Sequence, residues 1–171
     1  MRKTIVAIVI TLFLITANAF SQTKLKRYKV GHNFFLKLPS YMSKTVDLND
    51  LASFQFQNKL MNVGGFIQEY DKEQLRLAKI DCNTINNYFE IFIKDAFKGQ
   101  PDRQPEFKKI GENNFIEYDV SYSGTNNTDL YYFIGIVESP TTYYTIICIS
   151  NLVNKDRFKP DFQKILYSFR E

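Results

Sequence analysis

Residues 114–150 constrain the fold of this 171-residue chain more than any other stretch. Asn114 to Ser123, Leu130 to Glu138 and Thr142 to Ser150 are long segments rich in aromatic and β-branched residues, which pack well on a pleated surface. Gly124 to Asp129 and the tight Ser139-Pro140-Thr141 connection join them, and links this short make antiparallel neighbours. The stretch therefore predicts a β-meander. An amphipathic helix closes the chain, with Phe158, Phe162, Ile165, Leu166 and Phe169 on one stripe and Asp156, Arg157, Lys159, Asp161 and Lys164 flanking it. That stripe has to lie on the sheet, because nothing else covers five large apolar side chains.

Upstream, Tyr28-Val30 and Phe34-Leu38 read as short strands, the second stopped by Pro39. Leu51 to Asn58 and Met61 to Tyr70, separated by Lys59-Leu60, read as two more. Ala52, Phe54 and Phe56 alternate with Ser53, Gln55 and Gln57, the period-2 pattern of a half-buried strand. Gly64-Gly65 marks either a bulge or a close backbone approach. After Asp81 the period changes: Ile85, Tyr88, Phe89, Phe92, Ala96 and Phe97 recur at helical steps, with Asn83 or Thr84 to cap the start and Gly99 and Pro101 to end it. Residues 100–106, with Pro101 and Pro105, read as a surface loop. No repeat or linker divides residues 22–171, so a single α+β domain is expected.

Residues 1–21 read as a cleavable secretory signal. Arg2 and Lys3 precede a run from Ile5 to Ile15, apolar apart from Thr11, that is shorter than the ~20 apolar residues a membrane-spanning helix needs. Ala17 and Ala19 allow cleavage after Ala19, and Ala19 and Ser21 allow it after Ser21. With no Cys near either site, lipid attachment is not expected, and the mature product should be released in soluble form to the periplasm or the exterior.

The whole chain carries 22 Lys and Arg against 18 Asp and Glu, and loss of Arg2 and Lys3 brings the mature balance to 20 against 18. So balanced a surface gives no reason to propose nucleic acid or an anionic membrane as partner. A chain of this size buries enough surface for one core without metals or disulfides. Cys82 and Cys148 reach an oxidising compartment in this reading, so a bridge between them is one possibility. Cys148 as ordinary core packing within Ile146-Ile147-Cys148-Ile149 is the other.

Few residues offer chemistry. His32, the single histidine, sits in a Gly31-His32-Asn33 turn and excludes multi-histidine metal sites. No phosphate loop, zinc spacing, calcium loop or nucleophile elbow appears, so no cofactor or metal is expected. Glu117 and Asp119 alternate on one strand and share a face, where two carboxylates ~7 Å apart either raise one pKa, as acid-base catalysis requires, or play a solvated or structural part. The chain has 16 Phe and 11 Tyr with no Trp. In the doublets Tyr131-Tyr132 and Tyr143-Tyr144 adjacent rings point to opposite faces. Tyr131 and Tyr143, with Tyr118 or Tyr122, either form an outward aromatic patch for a protein or small-molecule partner, or pack across strands beneath a helix. Asn126-Asn127-Thr128 matches a glycosylation sequon.

Three segments together resemble the Mog1/PsbP-like family: Phe34-Phe35-Leu36-Lys37-Leu38-Pro39-Ser40-Tyr41, the meander around Glu138-Ser139-Pro140-Thr141-Thr142-Tyr143-Tyr144, and Phe162-Gln163-Lys164-Ile165-Leu166-Tyr167-Ser168-Phe169. The resemblance implies an α/β/α sandwich on a central, mainly antiparallel sheet. It also implies a non-catalytic partner or accessory factor, and the export signal suits bacterial or organellar members. The expectation is an exported binding or accessory domain, with a small carboxylate-dependent hydrolase using Glu117, Asp119 or His32 as the alternative.

Overall fold

The computed structural model describes residues 23–31, 34–96, 104–123 and 129–171. The expected signal segment, His32, the helix-ending residues 99 and 101 and the sequon at 126–128 lie outside the described residues.

Nine strands and three helices are described: β1 (Leu25–Val30), β2 (Phe34–Pro39), β3 (Ser43–Thr45), β4 (Phe54–Asn58), β5 (Val63–Asp71), α1 (Lys72–Leu77), α2 (Ile85–Ala96), β6 (Glu106–Ile110), β7 (Asn113–Ser123), β8 (Asp129–Glu138), β9 (Thr142–Asn151) and α3 (Lys155–Tyr167). Strands β3 to β9 form one sheet in the order β3-β4-β5-β9-β8-β7-β6, antiparallel throughout, while β1 and β2 pair in a separate hairpin. The predicted meander is β7, β8 and β9.

Helix α3 and the β1-β2 hairpin cover one face of the sheet. Phe158, Phe162, Ile165 and Leu166 pack there with Phe34, Leu36, Phe56, Phe133, Tyr144 and Cys148. Each fully buried ring of this kind stabilises the fold by about 1.5–3 kcal/mol. Helix α2 covers the other face, its Ile85, Tyr88 and Phe89 meeting Ile116, Tyr118, Ile134, Ile136 and Tyr143. The result is the expected α/β/α sandwich. Because both faces are roofed, β9 is buried without a break from Tyr143 to Cys148 instead of alternating.

Local details decide several boundaries. Thr84 caps α2, its Oγ1 accepting from the Asn87 N–H at 3.2 Å. Strand β4 begins at Phe54, since Leu51 is exposed in a turn, and β5 begins at Val63, after Asn62 takes a left-handed φ of 48°. Phe169 is buried as expected but lies past the helix end. It immediately precedes Arg170, whose backbone bridges to Phe35. The Gly64-Gly65 pair is a close approach and no bulge: register runs unbroken through it, and a Cβ on Gly65 would stand 2.4 Å from the Ile147 carbonyl oxygen and 2.7 Å from the Phe56 ring.

Three elements carry no clear periodicity and escape the sequence reading. Helix α1 is capped by Asp71, whose Oδ1 accepts from the Gln74 N–H at 2.8 Å. Strands β3 and β6 are the two edges of the sheet, and β6 starts at residue 106, the last position read as loop. Edge strands have one partner and expose most of their side chains, so burial leaves no period-2 imprint on them; Lys108 and Lys109 blunt the β6 edge.

Candidate functional site

The same-face placement of Glu117 and Asp119 holds, but the face is dry. Both point at α3 and are 1 % exposed, which corrects the reading of a solvated pair. The helix meets them with a polar stripe at four-residue steps, Lys159, Gln163 and Tyr167, running beside its apolar stripe. Lys159 Nζ lies 2.5 Å from Asp119 Oδ2 and 4.0 Å from Glu117 Oε1. Gln163 Nε2 donates to both Glu117 oxygens at 2.9 and 3.1 Å, and the Tyr167 hydroxyl donates to Glu117 Oε2 at 2.7 Å. From β8 the Tyr131 hydroxyl donates to Asp119 Oδ1 at 2.6 Å. Lys108 on β6 completes the cluster, donating to the Tyr167 hydroxyl at 2.8 Å and standing 3.7 Å from Glu117 Oε2.

A buried charge is tolerated when it is paired and its lone pairs are filled, and this cluster meets both conditions. Its donors come from β6, β8 and α3, so it pins the helix in one register across the meander. Asp161, which the sequence places among the flanking charges, is a second such anchor. It is 7 % exposed and accepts from the Tyr41 hydroxyl at 2.9 Å and from Lys164 at 2.8 Å. The signal that marks the first cluster in the sequence is the i, i+4, i+8 polar row Lys159, Gln163, Tyr167.

The four tyrosines offered as a patch do not form one. Tyr131 is wholly buried on the α3 face, while Tyr143 and Tyr118 are buried on the α2 face. Tyr122, at 52 % exposure, alone faces solvent. The doublets do alternate as read, but a helix covers each face, so the alternation sends rings into two cores instead of one core and water. Tyr143 stacks on Tyr88 with centroids 4.4 Å apart, and Tyr118 meets Phe89 edge-on at 5.0 Å. Burial raises the Tyr131 hydroxyl well above its usual titration range, and the Asp119 carboxylate raises it further.

Cys82 and Cys148 are both free thiols. Cys148 lies in the α3-side core and Cys82 borders the α2-side core, so the sheet itself separates them and no bridge forms.

Two clefts open on the surface of the described residues. A cleft of about 610 Å³ opens where α1 and the Lys79–Asn83 segment meet the Pro140-Thr141 turn. Its rim mixes signs: Asp71, Glu73 and Asp81 stand among Lys72, Arg76 and Lys79. The Lys72 N–H donates to the Thr141 carbonyl at 2.9 Å and its Nζ pairs with Glu138 at 2.9 Å, tying helix to turn. A second cleft of about 450 Å³ lies between the β1-β2 hairpin and the end of α3 and is lined by Arg27, Lys37, Lys164 and Arg170. Neither Glu117 nor Asp119 lines either cleft. Among the described residues no group of three or more His, Cys, Asp or Glu is placed to hold a metal ion, and no helix is long and apolar enough to cross a membrane.

No family model and no curated protein matches the sequence. Solved structures do match its fold. Cyanobacterial PsbP (CyanoP) from Synechocystis sp. PCC 6803 is similar with a TM-score of 0.61 at 10 % identity, over 90 % of this chain and 95 % of that one. A protein from Bacteroides thetaiotaomicron VPI-5482 gives 0.59 at 11 % identity, over 85 % of this chain and 47 % of that one. LpqN of Mycobacterium tuberculosis, a protein involved in cell envelope biogenesis, gives 0.53 at 11 % identity, over 90 % and 94 % of the two chains. With the antiparallel seven-stranded sheet held between α2 and α3, these likenesses show that the chain has a PsbP-like α+β fold.

Proposed function

We propose that this chain is an exported, non-catalytic binding or accessory domain that engages a partner through the clefts at its sheet ends. One observation carries the reading: Glu117 and Asp119, the paired carboxylates best placed in the sequence for acid-base chemistry, are buried beneath α3 and spend their oxygens on Lys159, Gln163, Tyr131 and Tyr167. A general acid or base has to reach a substrate proton, and these two face a helix. The PsbP-like fold supports the same reading, as do concave rims built from short, exposed segments. Export rests on the character of residues 1–21.

The test is to express the full chain with a C-terminal tag in its own host, recover it from the envelope fraction and sequence its N-terminus. A start at Phe20 or Gln22 fits export with cleavage. The recovered protein is then cross-linked, its retained partner identified, and the contact mapped by hydrogen exchange in the reconstituted pair. Protection of a cleft rim together with silence in ester, phosphodiester, glycoside and peptide hydrolysis supports the binding domain. Turnover that disappears in Glu117→Gln/Asp119→Asn, with the fold intact, replaces it by the hydrolase.

A further inference from the structure

The lining of the second cleft concentrates positive charge, whereas the first cleft mixes both signs. Strand β1 reads Leu25-Lys26-Arg27-Tyr28-Lys29-Val30, and its register with β2 sets Arg27 directly opposite Lys37 and Lys29 opposite Phe35. Like charges directly across an antiparallel pair are destabilising. Neither Arg27 nor Lys37 has a carboxylate partner among the described residues. Arg27 instead lays its guanidinium over the Phe35 ring, 4.1 Å from the centroid, with Lys29 Nζ at 5.8 Å from the same centroid.

The other side of β2 adds to the pattern. Phe35 exchanges backbone hydrogen bonds with Arg170 at 2.7 and 2.9 Å, which brings the end of the chain alongside the hairpin. Arg170 then lines the cleft with Lys164, Tyr167 and Ser168. Lys164 already pairs with Asp161, so its charge is partly compensated; the cleft lining itself holds four cations and no carboxylate. The domain as a whole is almost balanced in charge, so this concentration is local. It coincides with a concave surface to which Leu25 and Phe35, both half-buried, add apolar area.

From this juxtaposition we propose that the cleft between the β1-β2 hairpin and the end of α3 binds an acidic peptide segment of a partner protein. The inference rests on the binding-domain reading and names the chemistry of what is bound. Carboxylates of the segment lie against Arg27 and Lys37, where they relieve the like-charge pair, and its apolar side chains lie on Leu25 and Phe35. The cations are distributed along two strands and a helix end with aromatic and aliphatic surface between them. That spacing suits a chain alternating acidic and apolar groups better than a single compact anion. Arginine adds a planar fork that pairs with a carboxylate in two-point fashion.

The probe is a labelled peptide of about ten residues alternating Glu and Leu, with a Gln-for-Glu counterpart, titrated by anisotropy against the mature protein at about 50 and about 200 mM salt. The Glu peptide is expected to bind at least about ten-fold tighter than the Gln peptide and to weaken as salt rises. Arg27→Glu should reduce its affinity by about ten-fold or more while leaving the melting temperature unchanged or higher, because it removes the like-charge pair. A merely structural role for Arg27 predicts the opposite, a lowered melting temperature. Lys37→Gln provides a second variant with the same expected loss, and Lys44→Glu, on the far edge of the sheet, should change binding less than about two-fold. Equal binding of the two peptides, or full affinity in both cleft variants, overturns the proposal. So does displacement of the Glu peptide by inorganic phosphate, or preference for anionic phospholipid vesicles, at equal charge concentration. If the native partner still co-purifies with Arg27→Glu, the cleft assignment falls and the binding-domain reading stands.

Discussion

Lys159 on α3 places its ammonium 2.5 Å from the buried Asp119 carboxylate on β7 and within 4.0 Å of Glu117, so one cation sits between two carboxylates that see almost no water. Removing one member of a buried ionic cluster leaves the rest uncompensated, which costs far more than the cluster contributes when intact. Lys159→Ala is therefore expected to destabilise the domain by about 3–5 kcal/mol. Lys159→Met combined with Asp119→Asn and Glu117→Gln should recover a large part of that loss. Urea denaturation of the variants decides it, and a Lys159→Ala loss below about 1 kcal/mol would mean the carboxylates are held without it.

Gly135 on β8 lies under Leu166 of α3, where an added Cβ would stand 2.5 Å from Leu166 Cδ1. In an ordinary strand interior alanine is the better residue, since glycine loses more freedom on folding. Here Leu166 is wholly buried and has nowhere to move. Gly135→Ala is expected to lower stability by about 1–3 kcal/mol by overpacking. A rise in stability on thermal denaturation would show that the helix sits further from the sheet than described.

Thiol reactivity should separate the two cysteines. Burial pushes the Cys148 thiol far above its ordinary value, while Cys82, at the border of the other core, is raised by partial burial and then by Asp81. The thiolate is the reactive form, so the native protein should release colour from Ellman's reagent slowly and for one thiol per chain, and for two in denaturant. Two protected thiols after reduction-free purification would point to a bridge and contradict the placement on opposite faces.

Glu138 ties the end of β8 to α1. Partial burial acts to raise its carboxyl, but hydrogen bonds from Asn114 at 2.8 Å and from Lys72 at 2.9 Å, with the charge of Lys72, outweigh burial and hold it below the ordinary 4.5. A carboxyl depressed in the folded state binds its proton more readily when unfolded. Its stabilisation is thus present above about pH 4.5 and is lost as the pH falls from there through the folded-state value. Glu138→Gln should flatten the stability profile in that acid range relative to the parent while leaving its shape near neutrality unchanged. Matching slopes for the two proteins between pH ~5 and ~2 would remove Glu138 as a contributor.

How far the fold is legible in the sequence follows the strength of each element's local signal. The meander announces itself by long runs of aromatic and β-branched residues, because both its faces are buried, and α3 by the repeat that one buried face imposes on every third and fourth residue. Strands β3 and β6 and the short α1 do not, because they are largely exposed and nothing in their burial repeats. For the candidate site, alternation correctly puts Glu117 with Asp119 and sends the members of each tyrosine doublet apart. It is silent on what stands opposite.

Sequence alone therefore determines direction: which side of a strand or helix a residue occupies follows from local backbone geometry, and that is encoded within a few neighbouring positions. Tertiary structure alone decides environment. Whether the Glu117 face meets water or Lys159, whether Tyr131 and Tyr143 are displayed or roofed, and whether Arg27 confronts Lys37 across a hairpin depend on segments brought together from distant parts of the chain. Burial, pairing and charge repulsion act between such partners through space, and no local pattern carries them.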